Sequence, residues 1–137
     1  MTATFTSAYH KAGYELPNPR NSWSAKKADG SGVALTVWAD EITQKSTEPW
    51  VMDIRGHARL DLWKDRVGNA IRKQHIQHAL DHLGGEFDLI LCRAVDASAD
   101  IRKIKTAQFW ERRRGCIDAS EFNTDTGEFR IELRAVD

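Results

Sequence analysis

Over residues 33–38 a β-branched, apolar-rich run places successive side chains on alternate sides of an extended chain. Val33, Leu35 and Val37 fall on one side of an extended chain and Ala34, Thr36 and Trp38 on the other. The aliphatic trio makes the better core face. Trp38 then projects to the opposite side beside small residues, which leaves room for a recess, unless a helix covers that face as well. A second short strand is expected over 50–55. From about 65 to 83 the period becomes helical: Ile76, Ala79, Leu80 and Leu83 form one stripe, and Gly84-Gly85 supplies the stop. Residues 87–95, FDLILCRAV, form a nearly continuous apolar run, as in a strand buried on both faces. Phe129, Ile131 and Leu133 alternate with Glu128, Arg130, Glu132 and Arg134, which predicts a half-exposed strand closing a hairpin through residues 120–134.

Between these segments the pattern is weaker. Residues 1–17 offer only Phe5, Tyr9 and Tyr14 as anchors. Pro17 and Pro19 then make the lead-in to Trp23 a loop or short edge strand. Asp29-Gly30-Ser31-Gly32 is a turn, 43–49 a polar loop, and 101–114 a short helix or irregular connector. The sum is an α+β fold in a single domain, 1–137. Its mixed, curved sheet of five to six strands, or open barrel, carries one main helix at about 65–83.

Composition narrows the class. The chain is 41% hydrophobic and 29% charged, ordinary for a globular protein, and no apolar run is long enough to span a membrane. The N-terminus lacks the basic-then-apolar order of a secretory signal, and Cys92 and Cys116 lack CxxC spacing. Reduced thiols and a cytoplasmic location are expected. Net charge is zero, which argues against nonspecific coating of nucleic acid. Charge is nonetheless uneven. Residues 101–114 hold six cations (Arg102, Lys103, Lys105, Arg112, Arg113, Arg114) against Glu111 alone, so a neutral molecule can still carry one positive face.

Catalytic and metal motifs are sparse. His75, His78 and His82 share a helix face with Ile71, a spacing that can hold zinc, but no HExxH accompanies them, and a solvated face is the simpler expectation. Asp61 with Lys64 lacks the spacing of a PD-(D/E)xK nuclease. No P-loop, GxGxxG or GxSxG occurs, so no metal, cofactor or catalytic residue is assigned.

Binding chemistry is better represented. The basic stretch interleaves cations with Phe109 and Trp110, the pairing that neutralises phosphates and stacks on bases. Reading a base outside the duplex requires aromatic faces and polar groups at its edge. Trp23 and Trp38 are the candidate walls, with Asn21, Ser22 and Asp40 as edge contacts. An N-terminal N-S-W-S stretch, a strand ending in Trp and a later basic segment together resemble the PUA-like group of modified-base readers (EVE, YTH, ASCH and SRA-type domains). That resemblance implies an aromatic-walled base pocket on a curved sheet. The expected function is therefore nucleic-acid (DNA or RNA) binding, reading a modified or flipped base, with Arg102, Lys103, Lys105 and Arg112–Arg114 on phosphates. Two alternatives stay open. One is a protein-interaction module, adaptor or homodimer, using exposed Trp and Arg. The other is a nucleic-acid-processing enzyme built on Asp40, Glu41, Asp53 or the helix histidines.

Overall fold

The alternation at 33–38 and the apolar run that follows the helix become neighbouring strands, and the rest of the chain is arranged about that pair. The computed structural model describes residues 4–16, 22–57, 60–96, 98 and 103–136. In chain order these form α1 (Thr4–Lys11), β1 (Ser24–Lys26), β2 (Val33–Trp38), β3 (Ile42–Gln44), β4 (Trp50–Asp53), α2 (Leu60–Trp63), α3 (Val67–His82), β5 (Glu86–Ala94), β6 (Ile104–Cys116) and β7 (Arg130–Ala135). One mixed sheet takes all seven strands in the order β1-β2-β5-β6-β7-β4-β3. Only β2 and β5 pair in parallel.

The class is α+β, as the periodicities indicate, but the sheet has seven strands instead of five or six, and its ends are the open edges β1 and β3. Those two edges are three residues each, too short for alternation to register; β3 occupies part of the stretch expected to be a polar loop. The basic segment is neither helix nor connector. It is β6, thirteen residues long, in the middle of the sheet. Charged side chains mask its strand character because its first residues and Glu111, Arg112 and Arg114 are exposed, while Gly115 and the half-buried Ala107, Phe109 and Trp110 lie against the core. The C-terminal hairpin shrinks to one bridge, Phe122 to Phe129, and β7 instead pairs with β6 and β4.

Both faces of the central strands are covered. Val33, Leu35, Val37, Leu89 and Leu91 pack with Ile76 and Ala79 of α3, while Ala34, Ile90 and Cys92 pack with Ala8 and Tyr9 of α1. Helix α1 lies where the sequence offers only scattered anchors. It closes at Gly13 as α3 closes at Gly84, each glycine adopting positive φ, with Tyr14 N–H reaching Tyr9 O and Gly85 N–H reaching Ala79 O. Cys92 and Cys116 are free. Among the described residues no helix is long and apolar enough to cross a membrane.

Helix α3 leads into β5 through a short turn and runs back along β1 and β2. His78 meets Gly30 before β2 begins, His75 meets Ser24, and Gly68 meets Trp23, whose carbonyl accepts from Thr36 N–H. The first turn of α3 therefore sits at the end of the sheet where β2 and β5 finish. There too lie Ala39–Glu41, a turn of 3₁₀ helix directly after β2, and the start of β6, since Ala94 pairs with Ile104. The C-terminal end of parallel strands is where open α/β sheets place their ligands.

Candidate functional site

Trp23 and Trp38 do not wall one recess. Trp38 packs in the layer of α1, on the face of β2 that holds Ala34. The room suspected beside it is filled: Ala34 is fully buried, and the Thr36 hydroxyl shares a 2.6 Å hydrogen bond with Tyr9 Oη. Trp23 instead lies against α3. Its indole rests directly on Gly68, where an added Cβ would come within 2.5 Å of the ring. Ser22 is buried beside it, Asp40 is exposed in the 3₁₀ turn, and Asn21 is outside the described residues.

The group that Trp23 does join was not legible as a motif. The guanidinium of Arg72 lies over three rings, its Cζ 4.9 Å from the centre of Trp23, 5.1 Å from Phe129 and 5.4 Å from Trp63. Arg72 is only 8% exposed. Its Nη2 donates to Asn69 Oδ1 at 3.2 Å, and its Nε has no acceptor among the described residues. Burial lowers its pKa to about 10, a drop opposed by the carboxylate of Glu41 nearby, so it stays charged at neutral pH. Asn69 holds the first turn in place, its Nδ2 donating to Lys64 O and Thr126 O at 2.8 Å each.

A second polar chain borders this cage. Trp63 Nε1 donates to His57 Nδ1 at 3.3 Å, and His57 Nε2 meets Glu41 Oε2 at 2.7 Å. Accepting from the indole requires a lone pair on Nδ1, which assigns the ring proton to Nε2. Both imidazole nitrogens are then occupied, so the Glu41–His57 pair orients Trp63 and leaves no open nitrogen to take a proton from a substrate.

The cationic set divides. Arg113 is committed to the fold. Its Cζ is 3.9 Å from the Trp50 ring centre, its two terminal nitrogens reach the Glu48 carboxylate at 2.9 Å, and Nη1 also reaches Leu133 O. The hydrogen bonds from Arg113 hold the Glu48 carboxyl below its usual range. Arg114 pairs with Asp88 at 2.6 Å and Glu86 at 3.5 Å. Lys103, Lys105 and Arg112 are exposed and make no ion pair among the described residues. Arg102 is outside those residues. Trp50 and Trp110 pack edge to face at 6.0 Å, each partly buried against the core.

The helix histidines take separate partners. His75 Nδ1 meets Ser24 Oγ at 2.6 Å and His78 Nε2 meets Gly30 O at 2.9 Å, while the His82 ring lies tilted 4.8 Å from that of His78. Among the described residues no group of three or more His, Cys, Asp or Glu could hold a metal ion. Asp53 is taken up by Arg55.

One sequence signal did point to Arg72. Asn69, Arg72, Ile76 and Ala79 form the buried stripe of α3, so a cation stands where helical spacing calls for an apolar residue. Trp63 and His57 carry no such mark. No protein-family model, curated protein or solved structure matches the chain.

Proposed function

We propose that the chain is a nucleic-acid-binding domain whose contact surface is the end of the sheet where α3 begins. The observation that carries this reading is the guanidinium of Arg72 held among Trp23, Trp63 and Phe129 at that end. Lys103 and Lys105 stand exposed at the same end. Half-buried indoles stack on bases, and unpaired cations neutralise phosphates. In this reading the aromatic wall for a flipped or modified base is Trp23 with Trp63, in place of Trp23 with Trp38. Arg113 and Arg114, spent on Glu48, Asp88 and Glu86, drop out of the phosphate-binding set.

Fluorescence anisotropy with labelled single- and double-stranded oligonucleotides across a salt series tests the reading. Binding is expected at low salt. Lys103→Ala and Lys105→Ala should each flatten the log–log salt slope by about 0.7–0.9, whereas Arg114→Ala should change it little. Absence of binding at about 50 mM salt overturns the proposal. A protein partner is the competing reading. It is favoured by Leu62 (49% exposed) and Val67 (58% exposed) beside the same turn. A dimer in light scattering that Leu62→Glu dissociates would favour it.

A further inference from the structure

The first turn of α3 is an unfinished helix start. Arg66 occupies the N-cap position with extended backbone (φ −76°, ψ 150°) and no side-chain cap, and the first turn holds no acidic residue. Asn69 and Ala70 N–H both turn back to Arg66 O, but Val67 and Gly68 N–H have no acceptor among the described residues. Such a terminus carries about half a positive charge and aligned donors, conditions that favour an anion. A bare helix start is common and would carry nothing alone.

A second, independent feature lies beside it. Helical side chains lean toward the N-terminus, which brings the guanidinium of Arg72 back beside this turn, onto Asn69 of the turn itself and against the Trp23 indole that covers Gly68. Among the described residues that buried guanidinium has no carboxylate within salt-bridge distance, Glu41 acting on it only from farther away, and its Nε has no acceptor. A buried charge and a buried unpaired donor are both costly to keep unless something completes them.

We propose that the first turn of α3 and Arg72 form a binding subsite for one phosphate group, with Val67 and Gly68 N–H and the guanidinium as its donors. The inference deepens the nucleic-acid reading and rests on it for the carrier of the phosphate. The chemistry asked of the site is an oxyanion with several acceptor oxygens, set beside indoles that accommodate a base.

The test is an amide NMR titration of the full chain with inorganic phosphate, against sodium chloride at matched ionic strength. Saturable shifts centred on Gly68 are expected with phosphate and not with chloride. Val67→Pro deletes one donor at the helix position that best tolerates proline, and Arg66 already has the extended backbone that a following proline requires. It should weaken phosphate binding about tenfold, the loss of one hydrogen bond to a charged group, with the thermal midpoint preserved. Arg72→Met should weaken binding at least as much and serves if Val67→Pro folds poorly. No saturable shift at Gly68, or unchanged affinity in both variants, overturns the subsite. Oligonucleotides form a separate arm. Oligonucleotide binding that both variants leave intact removes the subsite and keeps the nucleic-acid reading. Phosphate binding without oligonucleotide binding does the reverse.

Discussion

Arg72 places its guanidinium carbon 4.9 Å from the centre of the Trp23 ring, although Trp23 lies before the first strand of the sheet and Arg72 in the second turn of α3. Cation–π attraction in a desolvated setting contributes about 2 kcal/mol, while removing a cation from water costs several. The stack softens the burial without cancelling it.

Arg72→Met should therefore leave the fold intact, with stability between unchanged and about 2 kcal/mol higher, because a flexible apolar chain keeps the packing and loses the desolvation cost. Urea denaturation measures this. A loss beyond about 2 kcal/mol would mean that the stack and the Asn69 bond outweigh desolvation.

Asn69 is fully buried and serves two backbone carbonyls, Lys64 O and Thr126 O. Asn69→Ala leaves both without a donor and should cost about 2–4 kcal/mol. The same urea series reports it, and a change below about 1 kcal/mol would show that water replaces the amide.

Gly115 on β6 pairs with Phe87 on β5, and a Cβ there would overlap the Phe87 ring, itself fully buried. Gly115→Ala should destabilise by about 1–3 kcal/mol through forced displacement of that ring. A thermal midpoint equal to the parent's would mean that Phe87 has space to turn aside.

Burial, with smaller contributions from the Lys26 and His78 charges, lowers the His75 pKa to about 4 from the ordinary value of 6.5. The folded state thus favours the neutral ring, and the unfolded state takes up the proton first. This contribution is complete above about pH 6.5 and is lost as pH falls toward about 4. Stability should decline across that window, and His75→Gln should flatten the decline. Equal slopes for parent and variant would exclude His75 as the source.

Periodicity reached a good part of the fold and little of the site. The alternation of Val33, Leu35 and Val37 located β2, the stripe through Ile76 and Ala79 located α3, and the apolar run located β5. Helix α1 escaped because its buried face rests mainly on Ala8 and Tyr9. Strand β6 escaped because its charges resemble a solvated run until Arg113 and Arg114 are seen paired with Glu48, Asp88 and Glu86.

What local pattern by itself determined is which segments bury a face, since burial imposes a period of two or of 3.6 on any chain. The tertiary structure alone decided that Trp23 belongs with Arg72, Trp63 and Phe129 while Trp38 belongs with α1. Those partners come from distant parts of the chain, and the side of the sheet each indole occupies follows from where α1 and α3 pack. Strand register separated Trp38 from the aliphatic face of β2, but only the packed helices could show that its own face was closed.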